Sequence, residues 1–197
     1  MIDMLPIWIE NLAIGTQLWV AGLLILVLLL ILMYLLRNPL RYWWEGLRIT
    51  RAAKRLGARV LRNVNLPDGM GGEIRIDFLM LSIDAILVID VKRYDGMIFG
   101  GVQTDEWTQT INSRSYKFPN PDNYLLQQVS AVKSIVPRAP IRGIHLFTDN
   151  AVFPWDKPSN MVQVKDLRRS RTRRPRLKNI PAELCSAWTQ IKRSLKQ

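Results

Sequence analysis

Two acids and a lysine interrupt the most strand-like apolar stretch of the chain. Residues 73–92 read Glu-Ile-Arg-Ile-Asp-Phe-Leu-Met-Leu-Ser-Ile-Asp-Ala-Ile-Leu-Val-Ile-Asp-Val-Lys, with Asp77 in one apolar run and Asp90 and Lys92 in the next. If the runs pair as an antiparallel hairpin reversing at Ile83 and Asp84, the numbers of facing residues sum to 167, so Asp77 faces Asp90 and Arg75 faces Lys92. Ile-Asp is a poor two-residue turn, and a longer symmetric loop keeps the same pairing. Alternation then places Asp77, Leu79, Leu81, Val88, Asp90 and Lys92 on one face. Ile74, Ile76, Phe78, Met80, Leu87, Ile89 and Val91 form the other, which is wholly apolar and is expected to be core; a one-residue slip would bury the charges.

Two facing carboxylates repel unless a cation lies between them or one is protonated. Mg²⁺ (or Mn²⁺) suits the pair, being content with one or two carboxylates, waters and substrate phosphate, and the main-chain carbonyl of Val91 offers a further ligand. Lys92, on the same face as Asp90, would hold its ammonium where it can orient or deprotonate an attacking water or offset charge on a phosphate. That is the equipment for metal-assisted hydrolysis of a phosphodiester. The simpler alternative is a structural ion pair, with Asp77 and Asp90 neutralised by Arg75 and Lys92.

The elements that must hold these residues follow from pattern. Residues 46–57 read as a helix with Leu47, Ala52, Ala53 and Leu56 inward and Gly57 as its stop. Residues 59–66 read as a strand, and Pro67-Asp68-Gly69 with Gly71-Gly72 as a turn into the Asp77 strand. After Lys92, Tyr94-Asp95-Gly96 reverses the chain into a strand at 97–100, and 107–118 suggests two more. Pro119-Asn120-Pro121-Asp122 breaks the sheet, with Asp122 as helix cap, and Tyr124, Leu125, Gln128, Val129 and Val132 follow at helical spacing. Gln127 and Gln128, in that helix, read as surface amides. Residues 141–148 form a further strand, whose His145 reads as a satisfied core or edge histidine. Small strands are expected at 151–153 and 161–164, and an amphipathic helix over 181–196 with Leu184, Trp188, Ile191 and Leu195 on one side.

The 197 residues suffice for one domain plus extras. No charge occurs between Asn11 and Leu36, and residues 18–36, at about 1.5 Å each, reach roughly 29 Å, the thickness of a bilayer core. A transmembrane helix over about 16–36 is expected, with a juxtamembrane linker at 38–45. A cleaved signal peptide would want a basic start and a shorter apolar run, whereas this chain begins with Asp3 and Glu10. Lys and Arg are missing before the helix, while Arg37, Arg41, Arg48, Arg51, Lys54 and Arg55 follow it. The expected orientation in a plasma (inner) membrane is N-terminus out, with the rest cytoplasmic. Tyr42, Trp43 and Trp44 suit an interfacial belt or the start of the soluble domain.

One cysteine excludes an internal disulfide, and one histidine with one cysteine cannot build a usual zinc site, so metal chemistry must rest on carboxylates. The formal charge of +12 points to a polyanionic partner, nucleic acid or anionic lipid. The densest basic run includes Lys165, Arg168, Arg169, Arg171, Arg173, Arg174, Arg176 and Lys178; such runs are commonly solvated, and the functional expectation for this one is contact with phosphates or lipid headgroups.

Asp77, then Ile-Leu-Val-Ile-Asp-Val-Lys at 86–92, Gly96, Trp107, the Asn120-Pro121 turn and a glutamine-bearing helix resemble the NERD (nuclease-related domain) family. That family is grouped with the restriction-endonuclease-like nucleases of the PD-(D/E)xK type. Asn-Val-Asn-Leu-Pro at 63–67 and His-Leu-Phe-Thr-Asp at 145–149 extend the likeness over about residues 46–165, ahead of a basic segment and terminal helix at 166–197. The resemblance implies an α+β fold, an αβββαβ core with a mixed sheet, preceded here by the membrane helix. It also implies a divalent metal and the cleavage of nucleic acid, DNA in particular. It assigns Asp77 and Asp90 as metal ligands, Lys92 as the catalytic lysine and a site glutamine at Gln127 or Gln128. Asp90 stands where the family tends to have Glu. Glu45-Gly46 reverses the family's Gly-Glu pair in the first helix, leaving Glu45 as the helix-acid candidate and Glu73 as a bystander candidate. The rival expectation is a membrane-tethered DNA-binding or scaffold protein whose nuclease site has lapsed.

Overall fold

The register of the acid-bearing hairpin governs the main sheet. In the computed structural model, which describes residues 5–67, 71–101, 103–155, 157–170 and 174–195, with side chains from residue 19 onward, strand β1 is Arg59–Pro67, β2 Glu73–Leu81 and β3 Ile86–Lys92. β2 and β3 pair antiparallel through Phe78↔Ile89, Leu79↔Val88, Met80↔Leu87 and Leu81↔Ile86, every pair summing to 167. The reversal is a four-residue loop, Ser82 to Ala85, closed by the Ser82 N–H donating to the Ala85 carbonyl at 3.0 Å. Ile-Asp thus occupies the middle of a longer symmetric loop.

The remaining strands and helices are β4 (Gly96–Phe99), β5 (Glu106–Ile111), β6 (Arg114–Pro119), α2 (Pro121–Ile135), β7 (Ile141–Phe147), β8 (Ala151–Val152), β9 (Met161–Gln163), α3 (Val164–Arg169) and α4 (Ala182–Ser194), after an opening helix α1 (Leu5–Ala53). A short 3₁₀ turn covers Leu177–Asn179. One sheet has the order β1-β2-β3-β7-β9 and the other β6-β5-β4-β8. β3 and β7 run parallel, the crossover between them passing through the second sheet and α2. The fold is a mixed α+β arrangement in which α1, β1, β2, β3, α2 and β7 supply the αβββαβ order. The residues expected at 68–70, 171–173 and 196–197 lie outside the described part of the chain.

The expectation of one polar and one core face on the hairpin is corrected: both faces are buried. Leu79, Leu81, Ile86 and Val88 pack with Leu125 and Val132 of α2 and with Leu184, Trp188 and Ile191 of α4. Phe78, Met80, Leu87 and Ile89 pack instead with Ile49, Ala52 and Ala53 at the end of α1 and with Val164 and Leu167 of α3. Helices cover the sheet on both sides, so apolar residues succeed one another without alternation, as in sheets buried between two helical layers.

A second correction concerns Ile74 and Ile76, which join Leu79 and Leu81 rather than Phe78 and Met80. Alternation therefore breaks between Ile76 and Phe78, at Asp77. The β1–β2 ladder keeps one register on both sides of this break but omits Asn63 and Asp77, and Asn63 has φ 49°. Asn tolerates this left-handed conformation better than most residues. One residue in each strand drops out of the ladder, and the strands continue with their faces exchanged.

The chain divides into two units, Met1–Leu47 and Arg48–Gln197. The first contains most of α1, a helix long and apolar enough by length and composition to cross a membrane, with the side chains of residues 19–44 exposed. The helix expected to end near residue 36 continues to Ala53, so residues 38–45 are helical, with Pro39 inside. Apart from Pro39, which removes one backbone donor and crowds the carbonyl four residues before it, that segment lacks a helix breaker.

Candidate functional site

The site forms where β2 and β3 stop pairing. Phe78↔Ile89 is the last pair of their ladder, although β3 continues beside β7 to Lys92↔Phe147. Past Ile89 the β3 main chain would lose a partner on the β2 side, and a carboxylate replaces it: the Val91 N–H donates to Asp77 Oδ2 at 2.9 Å. A hydrogen bond to a charged acceptor is worth about 1.5–3 kcal/mol net. The expected pairings of Asp77 with Asp90 and of Arg75 with Lys92 are corrected, because both lie beyond the end of this ladder; Asp77 meets the Val91 peptide instead, and Arg75 turns to β1. It pairs with Asn65 of β1, and its guanidinium donates to Asn63 Oδ1 at 3.1 Å.

Asp90 is 4% exposed, and its Oδ2 receives Lys92 Nζ at 2.8 Å. One half of the simple ion-pair alternative is therefore present, while Asp77 is satisfied by main chain. Burial pulls the Asp90 carboxyl upward, but hydrogen bonds from His145 and Lys92, with their charge, outweigh it and hold the pKa below its ordinary value. Lys92 Nζ also lies 5.7 Å from the centroid of the Tyr124 ring, on α2.

α2 closes the other side. It begins after Asn120, whose side chain accepts from the Asp122 N–H at 2.9 Å and donates to the Thr104 carbonyl at 2.8 Å. Asn120, and not Asp122, is the cap: a proline at the first helical position cannot donate, so the next free N–H is that of Asp122. One turn on, Tyr124 Oη donates to the Arg75 carbonyl at 3.2 Å, and Gln128 Nε2 donates to the same oxygen at 2.7 Å. Gln128 is 1% exposed and its Oε1 has no partner among the described residues. Gln127 is exposed. The helix thus turns Gln128, and not its neighbour, toward the strand bearing Asp77.

His145 and Asp122 complete a chain of polar contacts that sequence reasoning left unconnected. His145, fully buried, sits opposite Asp90 in the β3–β7 pairing. Its Nδ1 is 3.1 Å from Asp90 Oδ2 and its Nε2 is 2.9 Å from Asp122 Oδ1. Asn160 donates Nδ2 to the same Asp122 oxygen at 2.7 Å and offers its carbonyl to the His145 N–H at 2.9 Å. A polar ring between the apolar Ile144 and Leu146 was the available signal. Its partners were hidden because a parallel register set across a long crossover cannot be read locally.

A hard divalent cation fits the donors present. Asp77 and Asp90 supply carboxylate oxygens and Val91 a main-chain carbonyl, the oxygen set that Mg²⁺ accepts alongside water. Protein donors engage Oδ2 of each carboxylate, which leaves Oδ1 of each as the atom to offer. The buried, unpartnered Gln128 Oε1 is also consistent with a site built to receive a ligand. Among the described residues no group of three or more His, Cys, Asp and Glu side chains could hold one ion. The ligands would be two side chains, main chain and water.

Glu73 opens β2, exposed, with Oε2 accepting from Asn65 Nδ2 at 3.1 Å. Glu45 belongs to the first unit. In the basic run, Arg174 is spent on structure, its Nε and Nη2 donating to the carbonyls of Gly57 and Ala58 at 3.0 and 2.7 Å. Arg168, Arg169 and Arg176 are exposed, and Arg171 and Arg173 lie outside the described residues.

A model of the family described as nuclease-related domain matches residues 42–148. An uncharacterised protein of Bacillus anthracis is 25% identical over 100 residues, covering 47% of this chain and 47% of that protein. The chain thus spans about half the length of this curated relative. No solved structure matches.

Proposed function

The chain belongs to the nuclease-related domain family, and on that premise we propose that it hydrolyses phosphodiester bonds in DNA with Mg²⁺ (or Mn²⁺) at Asp77, Asp90 and Lys92. The observation carrying this reading is the parting of β2 from β3 at Asp77. It gathers two carboxylates, the Val91 peptide and a lysine at one point, with α2 laid across it.

Asp77, Asp90 and the Val91 carbonyl would hold the cation. When bound, it supplies Lewis-acid polarisation of the scissile phosphate and acidifies a water for attack. Lys92 orients or deprotonates that water and offsets charge developing on the phosphate oxygens. Asp90 pairs with Lys92 in the resting site, and the Tyr124 ring face fixes the direction of the lysine side chain. Gln128, anchored through Nε2, has its carbonyl oxygen available to a water or the substrate.

The same reading includes α1 as an anchor in the plasma (inner) membrane, its N-terminal end outside and its basic flank cytoplasmic. Support comes from the apolar length of the helix and from Lys and Arg concentrating after residue 36. The exposed Arg168, Arg169 and Arg176 would contact phosphates of nucleic acid or of anionic lipid.

The test is nicking of supercoiled plasmid by full-length protein in detergent with Mg²⁺, with Mn²⁺ and with chelator. Metal-dependent nicking that is lost in Asp90→Ala is expected. A second reading, a tethered DNA-binding or scaffold protein with a lapsed site, draws support from the lack of a third acidic ligand among the described residues. It expects salt-sensitive DNA retention with no metal-dependent nick.

A further inference from the structure

We propose that Asp122 and His145 are positioning residues for Asp90, a buttress from the start of α2 through β7 that fixes the plane of the Asp90 carboxylate for a divalent cation. This inference rests on the reading of Asp77 and Asp90 as cation ligands.

Hydrogen-bond chemistry supplies the first step. His145 Nδ1 and Nε2 both lie within hydrogen-bond distance of carboxylate oxygens, those of Asp90 and Asp122. Ionised carboxylates only accept, so the ring between them is the group that can donate. The imidazole therefore bridges the two acids, with Asp90 on one side and Asp122 on the other. A fully buried ring with a polar partner at each nitrogen is the arrangement an interior tolerates. Asp122 gains further from its place in the first turn of a 15-residue helix, where the N-terminal dipole favours an anion.

Geometry supplies the second. Asp90 Oδ2 takes two donors, Lys92 and His145, and two donors on one oxygen set the orientation of the group. His145 cannot follow a moving Asp90, because Asp122 holds its far nitrogen while Asn160 holds both Asp122 and the His145 main chain. The chain runs through three elements anchored separately: β3 and β7 by their parallel ladder, and α2 by its Asn120 cap. Partners of this kind behind a metal ligand change metal affinity by about 10–100-fold when removed.

His145 is the sole histidine of the chain, so wild-type protein can report on itself. Untagged full-length protein in detergent, labelled with ¹⁵N-histidine, is titrated with Mg²⁺ and the imidazole nitrogens are followed by NMR. The resonances are expected to shift in step with Mg²⁺ occupancy measured by calorimetry. In parallel, Mn²⁺ binding is measured by electron paramagnetic resonance for wild type, Asp122→Ala, Asp122→Asn and Asp90→Asn. Asp122→Ala is expected to weaken Mn²⁺ binding about 10-fold or more, with Asp122→Asn, which keeps an acceptor for the ring, recovering most of it. Mg²⁺ binding with unmoved imidazole resonances overturns the proposal, as does unchanged Mn²⁺ affinity in Asp122→Ala. If Asp90→Asn loses Mn²⁺ while Asp122→Ala does not, the buttress alone fails. If wild type binds neither ion, the metal reading fails and takes the buttress with it.

Discussion

Asp77 Oδ2 accepts the main-chain N–H of Val91 at 2.9 Å, across the gap where two strands part. The acid of one strand thereby sets the peptide that separates Asp90 from Lys92 on the other. Removing it should disturb three groups together. Asp77→Ala is expected to abolish metal-dependent nicking and to cost about 1.5–3 kcal/mol of stability. Asp77→Asn, still an acceptor for the Val91 N–H, should abolish nicking while retaining most of the stability. Plasmid assays beside thermal melts distinguish the two, and a fully active Asp77→Asn would remove Asp77 from the chemistry.

Lys92→Ala leaves Asp90 with only His145 as donor on Oδ2. Nicking is expected to fall by about 10²-fold or more, the scale of a lost proton-transfer or charge-stabilising group. Single-turnover rates at saturating Mg²⁺ check this, and a rate within a few-fold of wild type counts against a role for the lysine.

Gln127 and Gln128, adjacent in sequence, should behave as opposites. Gln128 is buried and bonded to the Arg75 carbonyl, whereas Gln127 is exposed. Gln128→Ala leaves that carbonyl with Tyr124 alone and opens a void, a loss of about 1–3 kcal/mol, with lower activity besides. Gln127→Ala should stay within about 0.5 kcal/mol of wild type. Chemical denaturation of the two variants gives the comparison directly.

Gly143 lets α2 lie close against β7. A Cβ there would stand 2.8 Å from Leu125 Cγ and 3.0 Å from Val129 Cγ2. Gly143→Val should lift the helix that carries Asp122, Tyr124 and Gln128, costing about 1–3 kcal/mol in overpacking. Its nicking rate should fall further than stability alone explains, measured well below the melting midpoint.

The acid side of the stability profile should carry a signature of Asp90. Its folded pKa is depressed below the ordinary 3.8, against the opposing effect of burial. Such a group contributes stability above its unfolded pKa and loses it as pH falls through the folded value. Melting midpoints of metal-free protein between about pH 6 and pH 2 should therefore drop more steeply below about pH 4 for wild type than for Asp90→Asn. Parallel acid limbs would show that Asp90 has no such role.

Much of this architecture is legible in local pattern, and particular residues show where legibility ends. The 167 register follows from two apolar runs that reverse at Ile83 and Asp84, and it holds through Phe78↔Ile89. It could not reveal that pairing would stop there, next to a break at Asp77 that stands opposite a left-handed Asn63 on a different strand. The two-faced burial of the hairpin was hidden for a related reason: the covering helices end at Ala53 and begin again only at residue 121 and beyond.

Sequence by itself determined the long apolar helix, the hairpin and its register, and the presence of Asp77, Asp90 and Lys92 at neighbouring positions. Periodicity and charge act over a few residues and need no partner to be read. Tertiary structure decided which glutamine faces the acids, that Asn120 rather than Asp122 caps α2, and that His145 links Asp90 to Asp122. Those outcomes depend on the rotation of α2 over the sheet and on the parallel register of β7. Both are set by packing between segments tens of residues apart, and neither leaves a mark within its own stretch of chain.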